Sequence, residues 1–363
     1  MKTLYFAPEK SDFFKELKSK VDAHFEQKNS SVFGNRKMKI KLAIMFTIYL
    51  LAYASVFIYG ENTTMLYLLS AFLGGWSVLL GLNIGHDAAH GAIFKRPKAN
   101  KRLLFIFEIL GTNSYNWVNR HLGAHHVYPN VMNYDSDIQQ TSVVKIFPKD
   151  THRKYHVFQF IYMPLIYMLY ILRWVVYRDF KDAKSKRIGV YDNSNYPVKE
   201  ILKMVLFKVL YLTQMIVIPA LLMDLTFMTT IWAFLLLTVF GSLVITLVLL
   251  STHVGEDANF PEPNAQNALP HSWSYHQVIT AADFGTESHT INLLFGGFNH
   301  HVIHHLFPHI CHIHYPDLTP LLIETAEKYG LEYRSKKYLF AAVLSHFKLL
   351  KRNAQYSYQT DQK

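Results

Sequence analysis

The sequence predicts an all-α integral membrane protein: four transmembrane helices in two hairpins, carrying a helical cytoplasmic cap that is rich in histidine. Three observations predict it. Half of the 363 residues are hydrophobic and only 17% are charged, a balance that suits a membrane protein better than a soluble enzyme. The long apolar runs come in two pairs, each pair joined by a short link. Histidine gathers at or just beyond the ends of the second and fourth runs.

The chain opens with a charged, helix-like segment, DFFKELKSKVDAHFEQ, and the first apolar run begins only at Leu42, so no secretory signal is expected. Leu42–Tyr59 and Met65–Gly85 carry no charge, and only Gly60-Glu61-Asn62-Thr63-Thr64 separates them. Each is long enough to cross about 30 Å of hydrocarbon at about 1.5 Å per helical residue. Ile201–Met223 and Leu225–Thr252 form the second hairpin around Asp224, with Lys203 and Lys208 expected to snorkel to the interface. A shorter run, Val157–Leu172, is interrupted by Pro164. Phe105–Leu110 is similar and shorter still. The last 35 residues read as an amphipathic helix followed by a polar tail.

Positive charge orients the set. Arg36, Lys37, Lys39 and Lys41 flank the first span; Lys95, Arg96, Lys98, Lys101 and Arg102 follow the second; the two links hold neither Lys nor Arg. Both hairpins therefore dip outward from the cytoplasm and return. Parity then makes Val157–Leu172 an interfacial helix, because a crossing there would put the two hairpins' starting points on opposite sides. Both termini and the histidines fall on the cytoplasmic side.

The formal charge of +11 is spread over short clusters with no long basic tail, which argues against a nucleic-acid surface. The single cysteine, Cys311, excludes an intrachain disulfide and Cys-based zinc or iron–sulfur sites. Any metal here is held by His and oxygen.

Directly after the second span comes GHDAAHG, with His86 and His90 at i and i+4, facing one way on a helix. NRHLGAHHVYPN follows, with His121, His125 and His126. The stretch GGFNHHVIHHLFPHICHIHYP holds seven histidines in 21 residues, among them His301, His304 and His305. His253 ends the fourth span in LLSTHVGED. Each piece alone is weak, but the topology puts all nine imidazoles on one side of the membrane. Nine is too many for one tetrahedral zinc, and Asp87 stands where a zincin has Glu. Imidazole-rich sites suit iron, zinc and copper.

The three boxes, HxxxH, HxxxHH and HxxHH, resemble those of the integral-membrane fatty acid desaturases. HHVYPNVMNYDSDI, GGFN…HHLFPHICHIHYPDL and HVGED resemble the family's continuations of the second and third boxes and its extra histidine. The likeness covers roughly residues 40 to 325. It is greatest to the acyl-lipid and linoleoyl-CoA type, including front-end enzymes, although His301 stands where front-end members often carry Gln. The resemblance implies one domain over 1–363: a cytoplasmic segment 1–41, a membrane and catalytic core 42–325 and a cytoplasmic segment 326–363. It implies a di-iron site held by His86, His90, His121, His125, His126, His253, His301, His304 and His305. It also implies a cis double bond introduced into a long acyl chain, using O₂ as co-substrate. No HPGG haem-binding motif appears, so electrons are expected from a separate protein of ferredoxin or cytochrome b5 type. The substrate is a membrane lipid or an acyl-CoA.

Asp87, Asp135 and Asp137 are candidates to hold the outer nitrogens of those rings, or else helix caps and loop acceptors. Trp117 and Tyr115 are candidates to line an acyl tunnel, or else interfacial anchors. His300, His309, His312 and His314 crowd the third box without an assigned role, and Cys311 reads as a small buried residue. Two rivals stay open: a di-iron lipid or carotenoid hydroxylase or ketolase on the same scaffold, and a non-catalytic membrane metal transporter or sensor. Against the last, the spans carry almost no polar residue through their centres.

Overall fold

The structure is a computed structural model that describes residues 2–355; the polar tail expected beyond the last helix lies outside the described residues. Four helices are long and apolar enough to cross a membrane: Arg36–Tyr59, Thr63–Ala89, Val198–Leu222 and Phe227–Leu250. They are the two expected hairpins. Local chemistry starts three of them: the side chains of Asn35, Asn62 and Thr226 each accept a backbone N–H of the first turn.

The fourth span is the central one, packing against the second. Gly74 and Gly241 make that crossing close, since a Cβ at Gly74 would collide with the Leu237 carbonyl. The second span carries a π-helical turn, Gly81–Gly85, just before His86. The second box carries another, His121–His125. Such turns re-aim the side chains that follow them.

The run read as one interfacial helix, Val157–Leu172, is bent: it fills most of the arm Lys154–Tyr167 and enters the arm Tyr170–Lys184, the two meeting at 77°. Near its apex the Ile171 N–H donates to Ser242 Oγ, 2.9 Å away. Ser242 lies eight residues before the end of the fourth span, about 12 Å below it at 1.5 Å per residue. A helix break at that depth must find its partners within the protein, and Ser242 supplies one.

The expectation that Lys208 snorkels is corrected. Lys208 is buried, with Nζ 2.8 Å from Asp179 Oδ2 and 3.0 Å from the Gly111 carbonyl. Lys203 reaches Glu108 at 2.6 Å. The cap brings carboxylates to both ammoniums; Lys208 is buried with its own, while Lys203 remains partly exposed.

The N-terminal helix Phe13–Gln27 buries Phe13, Leu17, Val21 and Phe25, one face at helical spacing, against Leu318, Leu322 and Ala326 of Tyr315–Lys328. The C-terminal helix Leu339–Gln355 packs on the bent pair through Leu349 and Leu350. Strand structure among the described residues is confined to two pairs of two-residue strands, one of which joins Asp283–Phe284 to Ser335–Lys336.

Candidate metal centre

The eight histidines of the boxes and His253 come together at the cap end of the second and fourth spans. They divide into two pockets: His86, His90, His121, His126 and His304 in one, and His125, His253, His301 and His305 in the other. Within each pocket the candidate ligand atoms lie within 4.8 Å of one another.

Helix geometry explains the division. His86 and His90 share a face and a pocket, as i and i+4 positions do. His301 and His305 do the same in the other pocket, while His304 points across. The second box departs from this rule. Its π-turn bonds the His126 N–H to the His121 carbonyl at 2.9 Å, so His121 and His126 share a pocket and His125 is sent to the other.

The outer nitrogens decide what the inner ones present. His253 Nδ1 donates to the Thr280 carbonyl at 2.8 Å, and His305 Nδ1 to Gln277 Oε1 at 2.9 Å. His125 Nδ1 donates to Asp135 Oδ2 at 2.9 Å, and His121 Nδ1 to Asp137 Oδ2 at 3.2 Å. A carbonyl or carboxylate oxygen only accepts, so these Nδ1 atoms carry the proton and the neutral ring offers a lone pair at Nε2. The Nε2 atoms converge, and those of His253 and His305, whose Nδ1 protons are fixed, face each other with lone pairs. His301 and His253 Nε2 are 2.8 Å apart, His253 and His305 3.1 Å, and His305 and His301 3.2 Å. In the other pocket His126 Nε2 lies 3.1 Å from Nε2 of both His121 and His304. Facing lone pairs repel unless a cation sits among them. Both ring nitrogens of His86 and the Nε2 of His90 are buried without a hydrogen-bond partner, which adds donors to the same pocket. The residues fit metal ions held by imidazole.

Burial keeps most of these rings neutral, as ligands must be. It holds His90, His121, His126, His301, His304 and His305 well below the usual imidazole range, with neighbouring imidazoles adding to the effect. His253 is pushed down to about 3 by burial and by His125. His125 goes the other way: burial lowers it, but the Asp135 carboxylate outweighs that and leaves it raised.

Of the aspartates singled out in the sequence, Asp135 and Asp137 hold ligand-candidate rings. Asp135 is a hub: Oδ2 also accepts the Asn130 N–H at 2.9 Å, and Oδ1 accepts the Asp137 N–H at 2.9 Å. Asp87 differs. Its Oδ1 is 3.7 Å from His86 Nδ1, beyond hydrogen-bond reach, and its Oδ2 is bonded to His312 at 2.8 Å. The sequence reading missed Gln277, Thr280 and Tyr315, whose hydroxyl lies 3.0 Å from His304 Nδ1. No spacing in the sequence marks them. His300 is outside both pockets, between Thr319 and the Asn292 side chain.

A cavity opens from His86, His121, His125, His253 and His301 and runs between the second and fourth spans to Gly74 and Leu237. Trp117 lines it, stacked on Phe107 and against His121. Tyr115 does not; its ring packs on Tyr196, because the short helix Ser114–Arg120 turns adjacent positions apart. Tyr170, Ile171 and Trp174 of the bent pair form part of the wall.

Comparison with known proteins accords with this arrangement. The fatty acid desaturase family model matches residues 62–337. An sn-1 linoleoyl-lipid 6-desaturase of Arthrospira platensis is 31% identical over 344 residues, covering 94% of this chain and 92% of that protein. A protein of the same description from Synechocystis sp. is 28% identical, covering 94% and 95%. The Delta(5) fatty acid desaturase A of Dictyostelium discoideum is 30% identical, covering 94% of this chain and 75% of its own length. With the family model spanning the second to fourth spans and every histidine box, and the Arthrospira relative covering 94% of the chain, the chain belongs to the fatty acid desaturase family and is a multi-pass membrane oxidoreductase.

Proposed function

We propose that the chain is an acyl-lipid desaturase in which the two histidine pockets hold two iron ions and the cavity between the second and fourth spans receives the acyl chain. The observation that carries this reading is the convergence of nine imidazoles in two pockets at the mouth of an apolar cavity between those spans. A metal pair answers these inward-facing nitrogens, and no side chain has the oxidising strength to break an unactivated C–H bond. When bound, the iron pair supplies O₂ activation, with two external electrons and two protons, so that two hydrogens leave adjacent methylenes and two waters form.

The protein's own residues do the rest. Asp135, Asp137, Gln277 and the Thr280 carbonyl fix ring tautomers and orientation. Trp117, Phe298 and the fourth-span residues Ile245 and Leu249 keep the cavity apolar and dry beside the imidazoles. From His86 to Gly74 is twelve residues, about 18 Å of helix. An extended chain of about 1.5 Å single bonds advances about 1.25 Å per carbon, so about 14 carbons fit beyond the metals. That length supports a double bond near the carboxyl end of a long chain. The Arthrospira and Synechocystis relatives are described as linoleoyl-lipid 6-desaturases, which supports the same region and a lipid-linked substrate. His301, at the position where front-end members often carry Gln, then serves as a ligand in its own pocket. We read the metal centre and both termini as cytoplasmic from the basic flanks of the spans, and the electron donor as a separate protein of ferredoxin or cytochrome b5 type.

The test pairs metal with product. The protein is purified in detergent, iron is counted per chain, and lipids are profiled from cells expressing it beside a His301→Ala variant. About two irons, with a new double bond absent in the variant, is the expected result. Oxygenated products would point to a hydroxylase. One zinc or no metal, with unchanged lipids, would overturn the reading in favour of a transporter or sensor.

A further inference from the structure

His312, one of the histidines left without a role by the box pattern, is part of a buried chain that ends beside the first box. Lys41 Nζ, in the second turn of the first span, lies 2.9 Å from His312 Nε2. His312 Nδ1 lies 2.8 Å from Asp87 Oδ2, and the His312 backbone N–H donates to the same oxygen at 3.1 Å. Asp87 and His312 are each no more than 2% exposed. An ammonium can only donate, so Lys41 makes His312 Nε2 the acceptor and places the ring proton on Nδ1, facing the carboxylate. The direction of every bond is thereby set.

The far end of the chain is the informative one. Asp87 Oδ1 stands 3.7 Å from His86 Nδ1, and His86 has both ring nitrogens buried and unpartnered. A ring that gives one nitrogen to a metal must carry its proton on the other, and that N–H needs an acceptor. Asp135, Asp137, Gln277 and Thr280 provide this for other rings. For His86 the carboxylate beside it is Asp87. Asp87, Cys311 and His312 also converge within 4.8 Å, as an ion site would. The Lys41 ammonium already supplies the positive charge there, which argues for a relay of hydrogen bonds over a third metal.

We propose that Lys41 and His312 are positioning residues of the metal centre: through the Lys41–His312–Asp87 chain they hold an ionised carboxylate beside His86, tying the first span and the segment after the third box to the first box. The inference rests on the metal reading above. It gives a residue at a span start, and a histidine outside the boxes, a specific effect on one pocket.

The test follows release of iron to a chelator, with the thermal melting of the metal-free protein measured alongside. Lys41→Met and His312→Ala should each speed loss of one of the two irons by about tenfold or more, the range seen when an outer partner of a metal-bound imidazole is removed. His312→Gln, which can accept from Lys41 and donate to Asp87, should restore much of the retention. Should a single variant not fold, the Lys41→Met/Asp87→Asn pair removes both charges and leaves none buried alone; it should fold and still lose that iron quickly. Wild-type release rates in folded variants, with only the metal-free melting lowered, would overturn the inference and leave the metal centre standing. A wild-type protein holding no iron would overturn both.

Discussion

In the four-histidine pocket three rings are tied back at Nδ1, to Asp135, Thr280 and Gln277, and all four rings are buried. In the five-histidine pocket only His121 and His304 have such ties, to Asp137 and Tyr315. There His90 and His126 are half-buried, and both nitrogens of His86 are free of partners. One pocket is closed and preorganised by its surroundings; the other has a ligand to spare and looser anchors. The difference teaches that redundancy and rigidity are alternative ways to hold an ion. A pocket with no spare ligand depends on its held rings, and the bonds around His125, His253 and His305 fix three of the four, while His301 Nδ1 is buried without a partner.

The largest effect should come from removing ligands. His301→Ala leaves the closed pocket with three rings, and bound iron should fall from about two to about one per chain with activity lost by at least about 100-fold. His90→Ala leaves four rings in the other pocket and should retain most of its iron. Equal losses, measured by metal analysis after dialysis, would break the comparison.

Asp135→Asn comes next. It replaces the carboxylate that holds His125 while preserving shape, and it should weaken iron binding by about 10- to 100-fold. The loss should be confined to one ion of the two, as a chelator titration would resolve.

The buried rings of both pockets should also set the acid limb of the metal-free protein, those of the closed pocket among them. An unfolded imidazole titrates near 6.5, whereas burial holds His253 at about 3 and His301 and His305 well below their usual range. Between those values the unfolded chain binds more protons, so stability is full above about pH 6.5 and falls as pH drops. Each such ring contributes up to about 1.4 kcal/mol per pH unit. Melting of the metal-free protein between pH 7 and pH 5 tests this; a flat profile would contradict it.

The smallest effect is expected at Tyr315→Phe. It removes one neutral contact, to His304 in the looser pocket, worth about 0.5–1.5 kcal/mol, or about 2- to 10-fold in iron retention. A larger loss than for Asp135→Asn would reverse the ranking of the two pockets.

The sequence by itself determined the spans, the histidine boxes and the family resemblance. These are local properties: an uncharged run of about 20 residues has few fates besides crossing a bilayer, and imidazoles at i and i+4 share a face on any helix. It could not allot rings to pockets, because a π-turn, which the letters HLGAH do not announce, sends His125 away from His121. Nor could it find Gln277 for His305, Lys41 and His312 for Asp87, or Asp179 for Lys208. Each of these is a meeting of polar groups far apart in the chain, imposed when burial strips them of water and leaves only one another as partners. The expected interfacial helix is likewise broken at a bend where the Ser242 hydroxyl, far away in the chain, accepts the freed Ile171 N–H. Residue type and spacing set which chemistry was available; packing set which atom faces which.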